Sequence, residues 1–179
     1  DRSKGLDLPI SGSPSLDISD EPKVSSVALL SNDYVGMKPT MFFKEGDHVN
    51  CGEKIFEDKK NKGVFYCAPG SGLIKAVNRG DKRKFISIEI DLDNEEEFIE
   101  FNDQENFINL LQETGLWNSF RTRPFNRTPA ISDIPKGIFI NCCDTNPLSV
   151  DPYEIIKYDQ DLFDLGPVSY THLTLPTIY

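Results

Sequence analysis

Histidine and cysteine are scarce, and their spacing removes the chemistry they usually carry. Cysteines stand at 51, 67, 142 and 143, with no C-x-x-C among them. The adjacent pair Cys142-Cys143 cannot make the usual fork around one metal. With only His48 and His172 beside them, no metal site is expected, and buried or half-buried thiols in a reducing compartment are. Positive charge is also in the minority: 19 Lys and Arg against 29 Asp and Glu give a net charge of −10, which argues against a nucleic-acid-binding surface. No apolar run approaches the roughly 18 residues of a membrane span, and the start, D-R-S-K-G-L-D-L-P-I, has no apolar core of a leader. The cytosol, or the cytosolic side of a membrane, is the expected compartment. Neither G-x-G-x-x-G nor G-K-[ST] occurs, so no phosphate loop is expected. There is no Ser–His–Asp arrangement either, and no catalytic set is assigned.

What is present is a β-rich first half. Apolar residues make up 38% of the chain, enough for a core. Residues 1–22 are punctuated by Gly5, Pro9, Gly12, Pro14 and Pro22, which predicts an extended arm with turns. Residues 23–30 predict a strand, 31–34 a turn, and Val35–Phe43 an edge strand because Pro39 lies within it. Lys44–Val77 then places Gly46-Asp47, Gly52 and Ala68-Pro69-Gly70-Ser71-Gly72 between short apolar stretches spaced nearer two than 3.6. That pattern predicts tightly wound antiparallel hairpins. Phe85–Leu92 alternates, with Ile86, Ile88, Ile90 and Leu92 on one face and Ser87, Glu89 and Asp91 on the other.

Periodicity changes near residues 98–105, where a domain boundary is placed. From Glu89 to Glu105 there are nine acidic residues and no lysine or arginine, a solvated run, with a cation or partner site as the alternative. Asn106–Thr114 predicts a helix, capped as early as Asp103 and ended by Gly115. Gly137–Cys142 (G-I-F-I-N-C) predicts a buried parallel strand, followed by the polar loop Asp144-Thr145-Asn146-Pro147 where α/β sheets build sites. Asp151-Pro152 predicts the cap of a helix through Tyr153–Phe163, stopping at Gly166. Pro167–Tyr179 does not continue the pattern and reads as a non-native tail. The fold class is therefore α+β overall: residues 1–100 form a β-rich domain with an N-terminal arm, and 101–166 begin an α/β domain.

Six stretches, in order, carry a resemblance: G-L-D-L-P-I-S-G (Gly5–Gly12), P-K-V-S-S-V-A-L-L (Pro22–Leu30), D-Y-V-G-M-K-P-T-M-F (Asp33–Phe42), F-E-D-K-K (Phe56–Lys60), G-L-W-N-S-F-R-T-R-P-F (Gly115–Phe125) and D-T-N-P (Asp144–Pro147). Together they resemble the amino-terminal part of the A subunits of bacterial sodium-pumping NADH:quinone oxidoreductases. The resemblance implies a barrel-sandwich hybrid of the lipoyl/biotinyl type, then a Rossmann-like domain. It also implies a peripheral subunit of a translocase on the cytoplasmic face of the inner membrane, associated with ubiquinone binding. NADH oxidation, flavins, iron–sulfur and sodium passage would belong to partner subunits, and this chain alone would not turn over NADH.

Candidate residues follow. A lipoyl-type carrier would hold its cofactor on a hairpin-tip lysine, which Asp58-Lys59 and Lys60 imitate, but Asn61-Lys62-Gly63 lengthen the tip and no covalent arm is expected. Arg121 and Arg123 could clamp a carbonyl-bearing ligand or a partner's carboxylate, or simply fix the chain end before Pro124. Trp117, with Leu116 and Phe120, is a packing residue before it is a quinone contact. Asp144, Thr145 and Asn146 hydrogen-bond their own turn in the simpler reading. Membership of the related ferredoxin:NAD oxidoreductase complex is the other alternative, and it would need cysteine clusters that Cys51, Cys67, Cys142 and Cys143 do not form.

Overall fold

The computed structural model describes residues 10–17, 24–95, 97–101, 107–141 and 146–166. These fall in two compact units, one within Lys23–Asp133 and the other made of the described parts of 1–22 and 134–179.

The first unit is two small antiparallel sheets. One has the order β1 (Ser26–Leu30), β7 (Phe85–Leu92), β6 (Gly72–Arg79), β3 (His48–Val49); the other has the order β2 (Pro39–Met41), β4 (Lys54–Asp58), β5 (Phe65–Cys67). β2 opens on Pro39 at the edge of its sheet, where the missing N–H breaks no ladder. The sheets face each other across a core of Val49, Ile55, Phe56, Val64, Tyr66, Ile74, Phe85, Ile88 and Ile90, all buried. Phe56 joins them, stacking on Tyr66 with centroids 4.7 Å apart and meeting Phe85 edge-on at 5.5 Å. Each such aromatic contributes about 2–3 kcal/mol by burial alone.

Two close approaches fix the corners. At Gly72, a Cβ would lie 2.0 Å from the Asp91 carbonyl oxygen, so only glycine lets β6 start against β7. At Gly115, φ is 74°, the left-handed conformation that ends the helix α1 (Phe107–Glu113). The Gly115 N–H returns to the Gln112 carbonyl at 3.1 Å. The helix matches its predicted place; the expected cap Asp103 lies outside the described residues.

The alternation expected of Phe85–Leu92 fails at one end. Arg79 pairs with Phe85 and Asn78 with Ser87, so Ile86 is an extra residue on β7. This bulge flips the parity. Phe85 joins Ile88 and Ile90 in the core, while Ile86 turns outward and is 49% exposed.

The acidic stretch after β7 is anchored through its backbone. Glu97 N–H donates to Ser71 Oγ at 3.1 Å, and Cys51 N–H to the Glu97 carbonyl at 2.8 Å.

In the second unit, Asp151 caps the helix α2 (Pro152–Ile156), its Oδ1 accepting the Tyr153 N–H at 3.0 Å, with Pro152 at the first position as predicted. Turns interrupt the helix at 157–159, and helical backbone resumes at 160–166. The predicted buried strand Gly137–Cys142 does not form over its described residues, 137–141, and Phe139 there is 97% exposed. A buried parallel strand needs a paired strand beside it and layers on both faces, and the described residues supply neither. Cys142, Cys143, Asp144, Thr145 and the stretch 167–179 lie outside the described residues. No described helix is long and apolar enough to cross a membrane.

Candidate functional site

The loop between β1 and β2 folds back over the tip of the β4–β5 hairpin, and Asp58 holds the two together. Its buried carboxylate accepts the Lys38 N–H at 3.1 Å and the Lys60 N–H at 3.0 Å. Lys59 N–H donates to the Lys38 carbonyl at 2.7 Å, and Lys60 Nζ to the Gly36 carbonyl at 2.9 Å. Asn61 Nδ2 reaches the Pro129 carbonyl at 2.9 Å, which ties the 127–129 segment to the same tip. A buried acidic side chain capping backbone donors is a stable use of charge.

These tethers border a partly open cavity of about 160 Å³ whose walls include Tyr34, Met37, Asp58, Tyr66, Arg127 and Thr128. The two tyrosines meet edge to face, with centroids 4.6 Å apart. The Tyr66 hydroxyl is fully buried and has no hydrogen-bond partner among the described residues. It lies near the Thr128 side chain, which opposes a rise in its pKa, but no pair of atoms there meets hydrogen-bond geometry. Burial dominates and pushes Tyr66 up to about 12. Tyr34 is raised as well, by burial first and then by the Asp33 charge, with Arg121 opposing. Both stay protonated at neutral pH and can donate.

The residues named from sequence take up distinct places. Arg121 sits 5.6 Å from the Tyr34 ring centre and donates to the carbonyls of Asn118, Phe120 and Asp33, so its guanidinium locks the chain behind the cavity. Trp117 is 5% exposed, donates Nε1 to the Pro129 carbonyl at 3.0 Å and packs edge-on against Phe120. Arg123 is exposed and precedes a cis proline, Pro124. Lys59 and Lys60 are exposed on the hairpin tip, with the Lys60 amine on the Gly36 carbonyl. Asn146 lies in a turn, where its carbonyl accepts the Ser149 N–H. Arg121 and Trp117 thus support the wall that Tyr34 and Thr128 complete, while Arg123 does not line it and Asn146 belongs to the other unit.

The cavity tyrosines were not singled out from sequence. Tyr66 reads there as one aromatic in the strand F-Y-C, and nothing local tells an ordinary core tyrosine from one whose buried hydroxyl lacks a partner. Elsewhere, Cys67 is raised to about 11, chiefly by burial, with Lys54 opposing. Among the described residues, no group of three His, Cys, Asp or Glu side chains could hold a metal ion.

The chain matches two family descriptions: NqrA N-terminal barrel-sandwich hybrid domain over residues 2–93, and NqrA second alpha/beta domain over residues 102–179. The chain belongs to the NqrA family. Curated relatives agree, each being the A subunit of a Na(+)-translocating NADH-quinone reductase. Identity to the one from Yersinia pseudotuberculosis serotype O:1b is 44% over 181 residues, covering 96% of this chain and 40% of that protein. Others are similarly close: 44% identity over 182 residues in Rhodopirellula baltica, and 45% over 186 residues in Hahella chejuensis. These cover 96% of the chain and 40% of the first protein, and 98% and 41% for the second. The chain spans about two fifths of the length of these NqrA relatives. The fold class expected from sequence, a barrel-sandwich hybrid followed by an α/β domain, is that of the family.

Proposed function

We propose that this chain works as the NqrA component of a sodium-translocating NADH-quinone reductase and contributes a contact for the quinone head group. The observation that carries the quinone contact is Tyr66 beside the 160 Å³ cavity, its buried hydroxyl without a hydrogen-bond partner among the described residues. A quinone carbonyl is an acceptor with no proton of its own, so it matches a lone donor. A cavity of about 150 Å³ accepts a benzene-sized ring, so a substituted quinone head group enters it only in part, by one carbonyl edge. Tyr66 donates its O–H to the carbonyl oxygen, and Tyr34 presents its ring edge-on to that of Tyr66. Asp58, itself on the wall, positions its neighbours: by fixing the Lys38 and Lys60 backbone it holds the cavity open.

In this reading ubiquinone is a substrate of the complex. NADH oxidation, flavins, the iron–sulfur centre and sodium passage reside on partner subunits, and the chain lies peripherally on the cytoplasmic face, held through those partners. No covalent arm is placed on Lys59 or Lys60, because the Lys60 amine is engaged by Gly36 and the tip is long. Equilibrium titration of full-length NqrA with a short-chain ubiquinone analogue tests the reading. Saturable binding that quenches tyrosine emission supports it, and no binding to either the isolated protein or the assembled complex through this domain overturns it.

A further inference from the structure

In a chain of net charge −10, one end of the barrel is strongly cationic. A groove of about 680 Å³ runs between the β1–β2 loop, the β4–β5 tip and the β6–β7 tip. The β6–β7 tip brings Arg79, Lys82, Arg83 and Lys84 to its wall. Lys38 faces them from the loop, with Lys59 and Lys60 beside it. All seven are exposed, and among the described residues no acidic side chain lines the groove and none of the seven is in an ion pair. Asp81 is on the same hairpin but off the groove wall, and the Asp58 carboxylate is turned to backbone amides.

Two further observations point to an anionic occupant. Lys82 and Arg83 both adopt positive φ, 56° and 60°, a conformation that costs a side-chain-bearing residue and that glycine would take freely. The tip keeps two cations where the backbone favours glycine. The charge is also separated along β7. The cations precede Phe85, whereas Glu95 and Glu97 are exposed beyond Leu92, at the far end of an eight-residue strand about 25 Å long. Such a separation orients the unit, basic end first, toward an extended negative surface and keeps its acidic end away. Val35 on the groove wall and Ile86 beside the tip, 48% and 49% exposed, add apolar contacts at the basic end.

We propose that, in addition to the chain's attachment through partner subunits, this groove docks it directly on an anionic phospholipid bilayer, with headgroup phosphates entering between the Lys82–Lys84 tip and Lys38. The combination of clustered cations with flanking exposed aliphatic side chains is that of a surface-bound membrane contact. The orientation along β7 favours an extended surface over a short acidic peptide, which would need only the groove.

The test is co-sedimentation of full-length NqrA with phosphatidylglycerol-containing vesicles and with phosphatidylcholine vesicles. Binding is expected to the former only, and to disappear at about 1 M salt, where the screening length is about 3 Å. Lys82→Gly with Arg83→Gly removes two charges and relieves the positive φ, so it should raise the melting temperature while weakening vesicle binding roughly 30-fold. Lys75→Glu, on the β6 strand and ion-paired with Asp91, should leave binding unchanged. Equal affinity for both vesicle types, unchanged binding by the double glycine variant, or saturation by inorganic phosphate or a polyglutamate peptide without vesicle binding would each overturn the proposal.

Discussion

Replacing Tyr66 by phenylalanine separates a ligand-directed hydroxyl from a structural one, because the two roles predict opposite signs. The ring stays: its stack on Phe56 at 4.7 Å and its edge contact with Tyr34 at 4.6 Å do not involve the oxygen. What is lost is one buried hydroxyl with no hydrogen-bond partner among the described residues. Burying an uncompensated hydroxyl costs about 1–3 kcal/mol by protein mutational measures. Its removal should therefore leave the fold unchanged or stabilise it by about 1 kcal/mol. Had the hydroxyl been bonded to Thr128, its removal would destabilise by about 1 kcal/mol. Binding moves the other way. One hydrogen bond to a quinone carbonyl is worth about 1 kcal/mol, so Tyr66→Phe should weaken a quinone analogue about fivefold. Urea unfolding at constant slope measures the first quantity, and analogue titration of the same full-length protein measures the second. A variant that unfolds at lower urea, or one that binds the analogue as tightly as the parent, refutes the reasoning.

Asp58→Ala should cost about 2–4 kcal/mol, since two backbone amides lose a buried charged acceptor, and Asp58→Asn should cost about half that in the same unfolding assay. Gly72→Ala should destabilise by about 3 kcal/mol or more, because its methyl meets a backbone oxygen at 2.0 Å that no rotamer can clear. Alkaline pH should weaken the fold. Cys67 and Tyr66 titrate from 9.0 to about 11 and from 10.0 to about 12 on folding, so across that window the unfolded chain loses protons that the folded chain keeps. Stability is then full below pH 9.0 and falls as pH rises toward about 12, read as a falling urea midpoint. Tyr66→Phe should remove the upper part of that fall.

Much of the barrel was legible because its signals are local. Glycine corners, the edge position of Pro39 and the alternation through Ile88 and Ile90 each constrain only a few neighbours. Where the alternation failed, at Ile86, the cause is a bulge whose extra residue depends on how β6 pairs, which no stretch of β7 encodes by itself. The run G-I-F-I-N-C (137–142) has the composition of a buried strand, but composition states a preference for burial and cannot supply the neighbours that a parallel strand requires. The candidate site was less visible. Tyr34, Asp58, Tyr66 and Thr128 are brought together by two tethers on one carboxylate, at sequence separations of up to 94 residues. The basic groove was hidden in the same way: its cations lie at 38, 59–60 and 79–84, and only the three converging loops make them one surface. The run D-K-R-K before Phe85 and the lysines at 59, 60 and 62 were the local signs, reversals of charge in an acidic chain.

Photo-crosslinking a quinone analogue to the assembled complex, followed by mapping of the labelled peptides, tests the central claim most directly. The account predicts label on peptides carrying the cavity wall, residues 34–37, 58–66 and 127–128. Label confined to other subunits, or to parts of NqrA outside residues 1–166, would contradict it.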